Sequence, residues 1–197
     1  MNYLAHLYLA GPSIDLITGG FIGDSVRGDV LQQLPPTIQD GVLLHRAIDH
    51  FTDNHPVVRS SVARMRQRFG RYATVVADVF YDHFLARDFS HYHDQPLSDY
   101  ATSMADLLGK HVDIFPERSR RFYRYMVANN VLVSYANVSG IDKVLARMAE
   151  RTRFISHMDQ AGEELRHHYT DYDADFGLFF PELCKFASGE RAIRGFR

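Results

Sequence analysis

The sequence predicts an all-α protein, a single-domain helical bundle, and three observations lead there. Apolar residues recur with a helical period almost from end to end. No segment keeps the alternation of a half-buried strand. Pro, Gly, Asn and Asp fall in short clusters that cut the chain into helix-sized pieces. With 197 residues and 46% apolar content the chain can bury one substantial core, and no linker, repeat or low-complexity stretch divides it. Residues 1–197 are therefore read as one domain.

The elements follow from the punctuation. The cluster at 11–13 separates a helix over 2–10 from one over 13–28, and the prolines within 34–37 open a helix over 37–53. The break at 54–56 starts a helix over 56–69, followed by one over 72–88. The clusters at 94–97 and 115–117 open helices over 97–112 and 116–134. Those at 137–142 and 170–173 bound the last three, over 139–150, 153–169 and 174–187.

Composition narrows the function. A net charge of −2 gives no general attraction to nucleic acid, and no apolar run approaches the roughly 20 residues that span a bilayer. The N-terminus has no basic stretch followed by an apolar one, and the single Cys184 can make neither an internal disulfide nor a thiolate zinc site. A cytoplasmic protein with no membrane or nucleic-acid partner is expected. The 24 acidic residues comprise 18 Asp and 6 Glu, a bias toward the short carboxylate that turns, caps and divalent-metal sites share.

Two helices carry the chemistry. At 100° per residue, the segment 73–86 is apolar nearly all round, with Val76, Phe80 and Phe84 on one face and Asp78 and Asp82 about 40° apart on another, flanked by Leu85, Val79 and Ala86. Two carboxylates on a buried stripe require cations, protons or a metal, because burying one unpaired costs several kcal/mol. In 41–53, Leu44, Ala47, Ile48 and Phe51 face one way while His45, Asp49 and Asp53 form the opposite stripe, with Arg46 and His50 beside it. That stripe could equally be a solvated face.

Side chains at i and i+4 leave one helix face about 6 Å apart, so Asn2/His6, His45/Asp49, Asp49/Asp53 and Asp78/Asp82 are each a possible two-ligand arm. Taken singly, each has an ordinary structural explanation: a helix cap, a packed histidine, an arginine ion pair. One metal centre would explain all four. Imidazole and carboxylate donors without thiolate suit Mn²⁺ or Mg²⁺, with Fe²⁺ possible. Asp24 in "GGFIGDSVRG" follows Gly19, Gly20 and Gly23, which allow close backbone approach. Nucleophile-elbow, Walker A, Rossmann and His-Glu-x-x-His motifs are absent, and the single Glu-x-x-His at Glu164 and His167 is half of what a ferritin-like di-iron site needs. The acid-free run 59–71 contains Arg59, Arg64, Arg66, Arg68 and Arg71, and "PERSRRFYRY" adds Arg118, Arg120, Arg121 and Arg124; either is a solvated face or a landing patch for an acidic partner.

Taken together, "MNYLAHLYLA", "GGFIGDSVRG", "GVLLHRAIDHFTDNHP" and "DVFYDHFLARDF" resemble the acyl carrier protein phosphodiesterase family, the holo-acyl carrier protein hydrolases. The match runs in order through most of the first 90 residues. The later half, with "YMVANNVLVSYANVSGIDKVLARMAERT", agrees mainly in helical layout. The family looks like a divergent, truncated branch of the HD phosphohydrolases, although the adjacent pair here is Asp82-His83 rather than His followed by Asp.

The resemblance implies a metal-dependent phosphodiesterase, using Mn²⁺ or Mg²⁺, that removes 4'-phosphopantetheine from the serine of holo-acyl carrier protein. It extends to Asn2, His6, Asp24, His45, Arg46, Asp49, Asp53, Asp78, Asp82 and His83, leaving out His50 and His55. On that pattern Asp24, His45, Asp49, Asp78, Asp82 and His6 surround the metal, Asn2 and Asp53 support them, His83 either supports the ligands from behind or donates a proton, and Arg46 or Arg27 holds the phosphate. Arg59, Arg64, Arg66, Arg68 and Arg71 would receive the acidic carrier protein. An HD-type nucleotide phosphohydrolase and a non-catalytic helical binding module are the alternatives.

Overall fold

The computed structural model describes residues 1 to 196, and among them there are α-helices, 3-10 turns and no strand. Eleven α-helices occur in the order α1 Tyr3–Leu9, α2 Ile14–Ile22, α3 Pro36–Asn54, α4 Pro56–Phe69, α5 Ala73–Arg87, α6 Leu97–Gly109, α7 Glu117–Ala128, α8 Val131–Ser134, α9 Val138–Ala149, α10 Ala161–His167 and α11 Tyr169–Ile193. The all-α reading holds.

The centre of the bundle is α5. From Val79 to Ala86 every side chain is buried, and the helix packs against α1, α4, α9 and α11, so that only Val75, near its start, is exposed. That is what its all-round apolar sequence requires. The short α1 is also almost wholly buried, through Leu4, Ala5, His6, Leu7 and Leu9. Aromatic side chains fill the space between α5 and α11, where Phe80 lies 5.3 Å from Tyr172 and Tyr81 5.5 Å from Phe179 between ring centroids.

The most extensive helix pair is α2 with α3, and small residues make it possible. A Cβ on Gly19 would lie 2.3 Å from the Ile38 carbonyl oxygen, and one on Gly41 would lie 2.7 Å from that of Leu16. The two backbones therefore meet glycine to glycine. Ser13 caps α2 by accepting from the Leu16 amide at 3.4 Å, and α3 opens on Pro36, whose fixed φ suits a first helical residue.

Three predicted boundaries move. The helix expected over 13–28 ends at Ile22, tightens into a 3-10 turn at Gly23–Ser25 and becomes extended at Val26, which frees Asp24 from a regular helix face. The helix expected over 116–134 divides into α7 and α8 because Asn130 adopts a left-handed conformation (φ 47°), one that asparagine tolerates better than most residues. The first part of 153–169 is an irregular loop from 150 to 157, closed by His157 at φ 55°, and α11 begins at Tyr169 and runs on to Ile193.

Candidate metal centre

Three donors converge where α1 and α3 meet: His6, His45 and Asp49 place ligand atoms within 4.8 Å of one another. His45 and Asp49 stand one turn apart on α3, and Nε2 of His45 lies 3.1 Å from Asp49 Oδ2. His6 arrives from α1, its Nε2 3.1 Å from Asp49 Oδ1 and its ring stacked on His45 at 3.9 Å between centroids. Asp24, on the 3-10 turn after α2, brings Oδ1 to 3.4 Å from His45 Nε2 and remains largely exposed. The break in α2 after Ile22 is what aims it there.

The orientation of His45 is built in. Its Nδ1 donates to the Gly20 carbonyl at 2.9 Å, which turns Nε2 toward the carboxylates. This is how metal-binding imidazoles are commonly held, by a hydrogen bond on the far nitrogen. Burial opposes charge on His45, yet Asp24 and Asp49 outweigh it and raise its pKa to about 9. His6 goes the other way: burial, reinforced by neighbouring His45, lowers it to about 4, so its imidazole is neutral. Burial would raise Asp49, but hydrogen bonds from His45 and His6 hold it well below the usual carboxylate range.

Two imidazoles, one shared carboxylate and a second carboxylate on the open side form a nitrogen-oxygen donor set that fits Mn²⁺, Mg²⁺ or Fe²⁺. Nδ1 of His6 is buried without a hydrogen-bond partner among the described residues, and Cys184, the single thiol, lines a separate cavity. Asp49, with Asp24, reaches a cleft of about 850 Å³ whose floor also carries Asp53 and Asp78 with Met1 and Asn2 and whose walls carry Tyr3, Phe122, Tyr125 and Tyr135; His6 and His45 are buried and do not line it.

Asp78 bonds the amino group of Met1 at 2.9 Å, and Asp49 lies 3.7 Å from the same nitrogen. Burial would lower this amine, but the two carboxylates raise it to about 10 and keep it cationic; burial also lifts the Asp78 carboxyl. Nothing in a side-chain pattern signals a backbone amine at this position. Asn2 donates to the Tyr135 hydroxyl at 3.1 Å, so it ties the cleft wall to α1. Asp53, one turn beyond Asp49, is exposed at the cleft and raised by partial burial and by Asp49.

The structure gives several expected site residues other work. Asp82 lies fully buried beneath α1, its two oxygens accepting from the amides of Leu4 at 2.7 Å and Ala5 at 3.2 Å; it caps a neighbouring helix. Burial raises its carboxyl to about 7 against those bonds. His83 turns away from the cleft, with Nδ1 2.7 Å from the Tyr135 carbonyl and Nε2 2.8 Å from the Tyr169 hydroxyl. Arg46 donates to the Val26 carbonyl at 2.9 Å and holds the segment after Asp24, while Arg27 is exposed and does not line the cleft.

The arginines of the acid-free run do not line it either. Arg64 pairs with Asp175 and lies over the Tyr172 ring at 5.1 Å, and Arg68 pairs with Glu163 at 2.6 Å. Arg71 stacks on Phe154, leaving Arg59 and Arg66 exposed on α4.

With this geometry in place, sequence comparison identifies the family. The profile for acyl carrier protein phosphodiesterase matches residues 1–183. The chain belongs to the acyl carrier protein phosphodiesterase family. A relative from Shigella boydii serotype 18, named acyl carrier protein phosphodiesterase, is 33% identical over 192 residues, covering 95% of this chain and 98% of the relative. One of the same name from Escherichia coli O6:H1 is 32% identical over the same length and coverage. No solved structure matches. The family match extends past the helices that carry His6, His45 and Asp49 into α7, α9 and most of α11, so the cleft walls as well as its floor lie within it. No described helix is long and apolar enough to cross a membrane.

Proposed function

We propose that this protein hydrolyses the phosphodiester joining 4'-phosphopantetheine to the serine of holo-acyl carrier protein, releasing apo-protein and the free phosphopantetheine. The observation that carries the reading is an aromatic-walled cleft lined by Asp49, the carboxylate that His6 and His45 both meet. A long flexible arm ending in a phosphodiester needs such a site, with donors at the floor and apolar walls along the shaft.

His6, His45 and Asp49, with Asp24 on the open side, would hold the divalent ion. When bound, the ion supplies charge neutralisation at the non-bridging phosphoryl oxygens and a lowered pKa for the attacking water. The protein's own residues do the rest. Gly20 fixes the His45 ring, Met1 and Asp78 neutralise each other beneath the site, and Tyr3 and Tyr135 shield one side from bulk water. Water's oxygen joins phosphorus as the bond to the serine oxygen breaks, and the departing serine needs a proton. Asp53, an exposed carboxylate at the cleft, would accept the proton that the attacking water loses and pass it to the departing serine oxygen.

The test is mass spectrometry of holo-acyl carrier protein incubated with the enzyme and Mn²⁺. Loss of the phosphopantetheine mass with an intact polypeptide supports the reading; an unchanged mass at every divalent ion tried removes it.

A further inference from the structure

Part of the cleft lining is basic. Arg118 and Arg121 of α7, Arg147 of α9 and Arg151 just beyond it all line the cleft, and all are exposed. Arg121 meets Glu117 of its own helix at 3.4 Å across an exposed pair, while Arg118, Arg147 and Arg151 meet no carboxylate among the described residues; the arginine ion pairs lie elsewhere. Arg147 lies over the ring of Tyr125, 3.8 Å from its centroid, which holds the guanidinium at the cleft wall.

The adjoining loop adds a second, independent feature. Phe154 is 54% exposed and Ile155 85% exposed, consecutive apolar side chains in the irregular segment between α9 and α10. Phe154 lies between the guanidinium groups of Arg71 at 4.8 Å and Arg153 at 5.8 Å, which leaves Ile155 as the projecting apolar group. Scattered exposed apolar residues are common, but an aromatic and an aliphatic side chain framed by arginines, in the loop whose Arg151 and Thr152 line the cleft, have the composition of an interface core.

We propose that the 151–155 loop, with Arg118, Arg121 and Arg147, is the docking surface for an acidic amphipathic helix of the carrier protein, with Ile155 packing among its apolar side chains. The proposal rests on the reading that the substrate is a phosphopantetheinylated protein. Charge argues for this occupant. The arginines are spread over two helices and a loop instead of converging on a point, so they match a row of carboxylates better than one phosphate, and a small anion would leave Ile155 uncovered. The acidic floor would repel the same helix, which keeps the partner at the rim while its arm enters.

The experiment measures equilibrium binding of apo-carrier protein, which has no arm to cleave, by fluorescence anisotropy at about 50 and about 200 mM salt. Three variants are compared with wild type: Arg151→Glu/Arg153→Glu, Ile155→Ser, and Arg59→Glu/Arg66→Glu on α4. The loop pair is expected to weaken binding by roughly tenfold or more at low salt and to flatten the salt dependence, and Ile155→Ser to weaken it by about fivefold at both salts. The α4 pair is expected to stay within about twofold of wild type.

Unchanged binding in the loop variants overturns the proposal, as does a loss confined to the α4 pair or an absence of binding by wild type. Loss of self-association in Ile155→Ser without loss of carrier binding assigns the surface to a second copy of the chain and overturns it too. Holo-protein kinetics separate the two readings. Loop-dependent binding without cleavage of holo-protein sinks the proposed reaction and keeps the dock; cleavage with unchanged KM in the loop variants keeps the reaction and sinks the dock.

Discussion

Gly23 and His45 are fitted to each other: a Cβ added at Gly23 would lie 2.5 Å from the His45 ring, closer than real contacts come. The backbone at Gly23 is ordinary, with φ −50°, so the requirement is for space rather than for conformational freedom. Gly23→Ala is therefore expected to push the ring off its hydrogen bond to Gly20 while leaving the helices intact. Loss of an orienting partner typically costs on the order of 10- to 100-fold in metal affinity, and that is the fall expected for Mn²⁺ measured by electron paramagnetic resonance. Gly177→Ala is the control: nothing lies within 4 Å of its Cβ, so it should gain about 1 kcal/mol of stability and bind Mn²⁺ as wild type does. Wild-type affinity in Gly23→Ala would show that the His45 ring has no fixed role.

Asp82 carries α1 rather than the metal in this arrangement, and Asp82→Asn separates the two jobs. An asparagine has one accepting oxygen, so its amide nitrogen must face either the Leu4 or the Ala5 amide, donor against donor, in a fully buried place. At about pH 8, where the carboxyl is largely ionised, the variant should lose about 1–3 kcal/mol in urea unfolding. At a temperature where it stays folded, its Mn²⁺ affinity should remain within a few-fold of wild type. A hundredfold loss of affinity with unchanged stability would return Asp82 to the metal shell.

Asp78 and Asp82 share one stripe of α5 but not one task. Helical periodicity placed Asp78 and Asp82 together on one buried stripe, and both are indeed inward-facing on α5. Their different duties depend on where the start of α1 lands, because one carboxylate meets the Met1 amine and the next meets the amides behind it. That is a tertiary fact with no trace in the spacing. His45 and Asp49 were legible because an i,i+4 pair needs only the helix, and His6 because it stands out on an apolar segment.

The arginines behave in the opposite way. The run 59–71 is dense in arginine, yet Arg64 and Arg68 are engaged by acids more than 90 residues away in the chain. Arg147 and Arg151, isolated among ordinary surface residues, reach the cleft only because α9 packs on α5. The all-α class needed only local signals. The splitting of 116–134 hinged on one left-handed asparagine, and the glycine contact between α2 and α3 on Gly41, a residue whose significance appears only beside Gly19.

Proton release should accompany metal binding. In the metal-free protein His45 is held protonated to about pH 9 between Asp24 and Asp49, so a cation entering at pH 7 must displace that proton. Calorimetry in buffers of different ionisation enthalpy is expected to find roughly one proton released per ion, with affinity rising about tenfold per pH unit from 7 toward 9 and levelling above. By the same linkage the metal-free protein has His45's stabilisation in full below about pH 6.5 and loses it as pH rises through about 9. Binding without proton release, at constant affinity across that range, would place the ion away from His45.

Arg64 offers the last contrast, between a charge that holds the bundle and a charge that waits for a partner. It connects α4 to α11 through Asp175, whose carboxylate is mostly buried and also accepts from the Ser61 hydroxyl, and its guanidinium covers the Tyr172 ring. Removing it leaves Asp175 short of its cation, but the arginine itself is about one-third exposed, so solvent screening discounts the loss. Arg64→Ala should therefore cost about 1–2 kcal/mol of unfolding free energy, mostly from the stranded carboxylate and the uncovered ring. Asp175→Asn in the same background should recover part of it, because a neutral amide needs no cation while still accepting from Ser61. Turnover of holo-carrier protein, measured where both variants are folded, should keep its KM. A raised KM in Arg64→Ala that Asp175→Asn does not correct would put Arg64 back among the groups that receive the acidic partner.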